Sequence, residues 1–225
     1  MTLGASLSER NSTAVAGKLR FQPTLNQEGK LNRLSPLQRT EIPELNPKFD
    51  LVEAAMGFLP NSLLIMARRP ELVAAFATLS ATVMGKTSLP AGLSSLVAFV
   101  VSRSAGCQYC QAHTHHQAAN AGIDAEKLDD VWLYETSPRF SEGERAALRV
   151  AQGAAQVPNA VTDEDFAALR VHFDENQILD IVAIISLFGF LNRWNDTLAT
   201  ELESAPIRHA EEHLAARGWT GAKHR

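Results

Sequence analysis

Residues 90–122 read PAGLSSLVAFVVSRSAGCQYCQAHTHHQAANAG, and this stretch decides the fold class. Leu93, Leu96, Val97, Val100 and Val101 recur at spacings of three and four, which is the apolar stripe of a helix, and Pro90 is placed to open it. Gly106 breaks that helix directly before Cys107. A second helix is therefore expected from Cys107 to about Ala121, where Gly122 stops it. The segment Cys107-Gln108-Tyr109-Cys110 sits at the start of this second helix.

The pattern continues in both directions. Downstream, Asp124 can cap a short helix through Leu128, Val131 and Trp132, Ser141 and Glu144 have capping-box spacing, and Thr162 and Asp165 repeat it more loosely. A long helix is expected from about Asn176 to Leu202, followed by an amphipathic segment with Ile207, Ala210 and Leu214. Upstream, Phe49, Val52, Ala55 and Met56 form one helix, Ser62 to Ala67 a second, and Pro70 opens a third whose stripe is Leu72, Phe76, Leu79 and Val83. No stretch alternates apolar and polar residues between hairpin turns, so the expected class is all-α, folded as a single compact bundle. Residues 1–45 carry Pro23, Pro36 and Pro43 without a sustained period; they read as an irregular extension that wraps a neighbour or stays mobile, ahead of a helical domain over 46–225.

Among the 225 residues, 25 acidic and 21 basic side chains are scattered to a net charge of -4, and no dense Lys/Arg block is present to meet phosphates. No nucleic-acid partner is expected. The first thirty residues lack the apolar core of a secretory signal, and Ile178 to Leu191 is too short for a membrane span and runs into Asn192, Arg193, Asn195 and Asp196. A cytoplasmic protein with no membrane association is the expectation. Only two cysteines occur, three positions apart, which points to redox or metal chemistry rather than a disulfide scaffold.

A helix N-terminus favours thiolate over thiol, because unpaired backbone N–H groups and the helix dipole attract negative charge. On those grounds Cys107 should be the more acidic of the pair. Residues three apart lie near one face, so the two sulfurs can join, and a sulfenic acid formed on one can be captured by the other. By itself a Cys-x-x-Cys pair leaves open redox chemistry, a metal half-site or two packed thiols. His113, His115 and His116 follow within two turns. At about 100° per residue, Thr114 is nearest the Cys110 face and His113 lies about 60° away. His113 is the preferred proton-transfer partner, His116 continues the same drifting row, and His115 points to the far side of Cys107. Four ligands on one helix (Cys107, Cys110, His113, His116) cannot readily surround a tetrahedral zinc, so no metal and no cofactor are expected.

The run Ser102-Arg103-Ser104-Ala105-Gly106-Cys107-Gln108-Tyr109-Cys110-Gln111-Ala112-His113 resembles the core motif of the carboxymuconolactone decarboxylase-like superfamily, particularly its alkylhydroperoxidase D branch. Gly57-Phe58-Leu59-Pro60-Asn61-Ser62 with Arg69-Pro70-Glu71, and Asn192-Arg193-Trp194-Asn195-Asp196-Thr197, resemble segments flanking that core. The resemblance covers roughly residues 50–205. It implies a helical bundle assembled as a homo-oligomer, a trimer or hexamer. It also implies a peroxidase cycle in which Cys110 is the peroxidatic thiol and Cys107 its resolving partner, acting on hydrogen peroxide or organic hydroperoxides and recharged by a lipoyl group, a thioredoxin-like protein or a small thiol. Two positions depart from the family pattern: Ser95 stands where a glutamate is usual, and Thr114 where a histidine is usual. His113 or His116 would then supply the basic group. The competing readings are a non-catalytic oligomeric member with an altered proton relay, and a decarboxylase of muconolactone type.

Overall fold

The computed structural model describes residues 33–225. Ten α-helices follow one another: α1 (Asn46–Met56), α2 (Asn61–Met66), α3 (Pro70–Met84), α4 (Leu93–Ser104), α5 (Gln108–Asn120), α6 (Ala125–Asp129), α7 (Glu142–Ala154), α8 (Asp163–His172), α9 (Glu175–Leu198) and α10 (Ser204–His213). The described residues contain no strand, and the all-α expectation holds. Of the expected extension, residues 1–32 lie outside the described residues. Its remainder forms two 3-10 turns, Arg39–Glu41 and Pro43–Leu45, and packs Ile42 and Leu45 beside Phe49 of α1.

Local chemistry sets most of the boundaries. Ser141 and Thr162 each accept from the backbone N–H three residues on, and Glu144 and Asp165 reach back, completing both anticipated capping boxes. Asp174 and Gln177 form a third at the start of α9. Two ends fall elsewhere than the periodicity suggests. Gly92 takes a left-handed conformation (φ 81°), so the helix foreseen from Pro90 begins only at Leu93. Ala199 is left-handed as well (φ 52°), and it stops α9 at Leu198 rather than Leu202. A left-handed alanine costs on the order of 1 kcal/mol, offset here by two bonds closing the turn onto Asn195 O, from the Ala199 and Thr200 N–H groups.

α4 is the central helix. It packs against α5, α7 and α9, and every residue from Leu96 to Ser102 is buried, so the single stripe expected of it is in fact a wholly enclosed rod. Around it the larger core gathers Leu148, Leu169, Ile181 and Ile184. A smaller core joins Leu45, Phe49, Leu63, Met66 and Val73 of the first three helices, and Leu191 of α9 packs against both. α9 has 24 residues and a mean hydropathy of 1.3 over its most apolar window, long and apolar enough by composition to cross a bilayer. Here Ile181 and Ile184 pack into the core while Leu179, Val182 and Phe190 stay exposed.

α5 and α10 meet through imidazoles. His115 Nδ1 lies 2.8 Å from His209 Nε2, and His213 stacks one turn further along α10. Burial first, then the neighbouring imidazoles, pushes His115 down to about 3 and His209 to about 4 from an ordinary 6.5. The folded chain keeps both neutral while the unfolded chain takes up protons below about pH 6.5, so stability must fall as the pH drops from there toward 4. Urea midpoints are expected to be level between pH 7 and 9 and to decline below 6. The limiting slope is roughly 1.4 kcal/mol per pH unit per imidazole, less for the half-exposed His209. His115→Phe should flatten the decline; an unchanged slope would remove the imidazoles as its cause.

Candidate active site

Gly106 (φ 75°) makes the turn that α4 and α5 share, and open space where a Cβ would stand leaves conformation as the reason for glycine. The turn puts Cys107 at the N-cap of α5, with Gln111 N–H bonded to its carbonyl at 3.0 Å. Cys110 follows one turn in. Both thiols are free and buried, with exposures of 0 % for Cys107 and 3 % for Cys110, yet their surroundings differ. Cys110 forms part of the wall of a cavity of about 1080 Å³ that opens along the seam between the two cores, lined by Phe49, Val52, Leu63, Val73, Phe76 and Leu187 among others. Cys107 lies behind it, away from the cavity, beside Asp196 and His224.

The two thiols lie close enough to shift each other's ionisation. The neighbouring Cys110 thiol first, with the backbone N–H groups of Cys110 and Tyr109 at the open end of α5, holds the Cys107 thiol below its ordinary range against burial and Asp196. Burial first, and then the Cys107 sulfur, push Cys110 well above the ordinary cysteine range; Asn195 Nδ2, donating to its sulfur at 3.6 Å, opposes them. The acidic thiol is therefore the one expected from helix electrostatics, while the thiol that meets the cavity is its partner.

His113 lines the same cavity, and its Nε2 lies 2.6 Å from Glu203 Oε2. The other carboxylate oxygen accepts from the Tyr109 hydroxyl at 2.9 Å and from Asn61 N–H at 2.5 Å. Burial alone would raise the Glu203 carboxyl, but the charge and hydrogen bond of His113, with the Asn61 N–H, bring it below the usual carboxylate value. Phe58 stands edge-on to the His113 ring at 5.0 Å, and Tyr109 covers it from another side at 4.3 Å. A carboxylate from a distant part of the chain thus reaches His113. Thr114 also lines the cavity, but its hydroxyl donates back to the Cys110 carbonyl at 2.7 Å and is not free to relay a proton. His116 lies off the cavity wall, next to Phe58 and His209, and His115 is turned to α10.

Sequence reasoning passed over Glu203, Asn195 and His224. Asn195 belongs to one of the two segments that resemble the flanks of the family core, and Asn61 lies in the other; both are drawn to the site. Nothing local marks Glu203. Among the described residues, one group of three donor types approaches the spacing a metal would bridge, Cys107 Sγ, an Asp196 oxygen and a His224 ring nitrogen, all within 4.8 Å. The Lys223 ammonium, 2.7 Å from the second Asp196 oxygen, would repel a cation there, so the group does not fit a metal ion.

The carboxymuconolactone decarboxylase family model matches residues 70–153, which hold both cysteines and His113. The debrominase Bmp8 is 35 % identical, with a TM-score of 0.75, over 80 % of this chain and 96 % of its own. The chain belongs to the carboxymuconolactone decarboxylase-like superfamily. Bmp8 has also been crystallised as a cysteine-to-alanine variant with 2,3,4-tribromopyrrole. Within the superfamily, the alkylhydroperoxidase AhpD core of an uncharacterized peroxidase-related protein from Ralstonia eutropha JMP134 shares the fold at 22 % identity and a TM-score of 0.68, covering 78 % of this chain and 94 % of its own. The uncharacterized protein YnjA of Escherichia coli K12 is 31 % identical over 104 residues, 46 % of this chain, a match spanning just over half (57 %) of YnjA. Glu203, Asn195 and His224 all lie beyond the segment that the carboxymuconolactone decarboxylase model matches.

Proposed function

We propose that this chain is a dithiol–disulfide oxidoreductase that reduces a bulky apolar electrophile by two electrons, with an organic hydroperoxide as the acceptor. The observation that carries the reading is Cys110, set in the wall of a large apolar cavity with Cys107 at the N-cap of the same helix one turn behind it. In the cycle this supports, Cys110 passes its proton to the Cys107 thiolate as its sulfur attacks the outer peroxide oxygen, and the O–O bond breaks. Glu203 holds His113 at Nε2, which leaves the other ring nitrogen to protonate the departing alkoxide. Cys110 is now a sulfenic acid. Cys107 then loses its proton and attacks the Cys110 sulfur, the S–O bond breaks, hydroxide leaves as water and the disulfide forms. Two thiols are oxidised, the hydroperoxide becomes alcohol and water, and an external dithiol, lipoyl, thioredoxin-like or small, restores the pair.

The likeness to Bmp8 favours a second acceptor with the same electron demand, a polybrominated aromatic ring. There the Cys110 sulfur takes the bromine, the ring carbon takes a proton from His113, and Cys107 displaces bromide as the disulfide forms. Hydrogen peroxide would use the same sulfurs but little of the cavity. The exposed apolar side chains Leu51, Leu79, Leu179 and Phe190 support association into a homo-oligomer.

The reading is tested by adding cumene hydroperoxide, hydrogen peroxide or 2,3,4-tribromopyrrole to the reduced protein without oxygen, then counting thiols and released alcohol or bromide. Loss of two thiols per acceptor is expected, fastest with cumene hydroperoxide; thiols untouched by all three would overturn it. Ala77 faces the cavity from α3. Ala77→Phe should lower kcat/KM for cumene hydroperoxide about tenfold or more by filling that space, with hydrogen peroxide reduction unchanged. Equal losses on both would place the acceptor outside the cavity.

A further inference from the structure

The chain closes on its own redox centre. After α10 the backbone returns to the start of α5, where Trp219 Nε1 donates to the Gln108 carbonyl at 2.9 Å and the Thr220 hydroxyl donates to the Gln108 side chain at 3.1 Å. Leu202 N–H bonds to the His224 carbonyl at 2.8 Å. These contacts place the His224 ring, 1 % exposed, beside Cys107.

The ring's tautomer follows from one bond. Nδ1 lies 2.9 Å from the Thr200 carbonyl, which can only accept, so Nδ1 carries the hydrogen and Nε2 of the neutral ring carries a lone pair. Nε2 is buried and has no hydrogen-bond partner. Its nearest charged neighbour is Asp196 Oδ1 at 3.6 Å, an acceptor that can bond to Nε2 only when the ring is protonated. A buried nitrogen lone pair left unpaired is costly unless a donor reaches it, and Cys107, once it has taken up a proton, is the donor within this group.

We infer that His224 is the proton acceptor for Cys107. The inference rests on the dithiol cycle proposed above and supplies the step that cycle leaves open. Once Cys107 has taken the Cys110 proton it is a neutral thiol, a poor nucleophile toward the sulfenic sulfur. Its proton moves to Nε2, Cys107 becomes a thiolate and His224 an imidazolium, and the new N–H turns to Asp196. The S–S bond then forms as the S–O bond breaks. Asp196 is part-exposed and bound to Lys223, so it offers the proton a way out to water. Every charged or titratable group facing the ring enters this account: Cys107 with Cys110 behind it, Asp196 on α9, Lys223 in its own segment, and Tyr109 at 5.8 Å, whose hydroxyl is committed to Glu203.

The test uses the full chain with His224→Asn, because the asparagine amide can keep the bond to the Thr200 carbonyl while Nε2 is removed. With one equivalent of cumene hydroperoxide at pH 7, sulfenic acid should still form. Conversion to the disulfide should be about tenfold slower, with more sulfenic acid trapped by dimedone, and the pH profile of that step should move up by about one unit. Wild-type resolution with an unmoved pH profile would overturn the inference. Should the variant fail to fold, the ring nitrogen shifts of the wild-type protein serve instead: His224 should titrate differently in the dithiol and the disulfide, and identical titrations would overturn it. Alkylation of Cys107 by iodoacetamide against pH separates this inference from the dithiol cycle. If no acceptor oxidises the wild type, the cycle fails, whereas an upward shift of the alkylation profile in His224→Asn would still support the acceptor role.

Discussion

Replacing Cys110 with serine is expected to lower turnover at least about a thousandfold, the largest effect of any single substitution in this chain. A hydroxyl at that place can fill the space and accept from Asn195, but it does not ionise near neutral pH and forms no stable bond to a second sulfur. The change is nearly isosteric in a buried position, so the urea midpoint should move by no more than about 1 kcal/mol, which keeps loss of activity apart from loss of fold. Cys107→Ser should behave differently. It retains the sulfur in the cavity wall, so one equivalent of hydroperoxide is consumed and the protein gains one oxygen by mass, without turnover. If Cys110→Ser instead kept its single round and Cys107→Ser lost it, the attacking sulfur would be Cys107, the more acidic thiol, and the assignment of roles would reverse.

Glu203→Gln should produce the second largest effect, a loss of about a hundredfold in kcat. The carboxylate takes hydrogen bonds from His113, Tyr109 and Asn61 at once, and the amide puts an N–H₂ group where one of those donors points. His113 then loses the carboxylate that holds its Nε2, and the alkoxide loses a positioned proton donor. Stability should drop too, by about 1–3 kcal/mol at pH 7, since a buried donor is left unpaired. The sign of the pH dependence follows from the depressed carboxyl. Its contribution is fully present above the unfolded value of about 4.3 and is lost as the pH falls through the lower folded value. Urea midpoints of wild type and Glu203→Gln should therefore differ by a constant amount above about pH 5 and converge below it. A gap that persists into acid would mean the loss is steric rather than electrostatic.

How much of this was legible in the chain depends on the range of the interaction involved. Gly106 before Cys107 and the caps at Ser141 and Thr162 are decided within one or two turns, and these hold in the fold; the stripes of α3 and α4 do not, since Leu79 is exposed and α4 is buried on every side. The depressed Cys107 thiol agrees with its place at a helix start, although the Cys110 thiol is the larger cause and the backbone N–H groups the smaller one. Failure began where a local rule met a distant constraint. α9 has apolar residues enough to suggest a helix to Leu202, but the chain turns at Ala199, a residue with no preference for the left-handed conformation it holds. Ser95 and Thr114 suggested a weakened relay because substitution within a pattern shows what has been removed and not what replaces it.

The helices, their order and the pairing of two thiols at one helix start were determined by the sequence itself, since hydrophobic period, capping and glycine placement act over a few residues. Tertiary structure alone decided which sulfur faces a cavity, that Glu203 reaches His113 across 90 residues, and that the last turn of the chain brings His224 to Cys107. The physical reason is that a carboxylate or an imidazole carries no periodic signal. Its role depends on what lies within a few ångströms, and that is settled only when separate helices have packed.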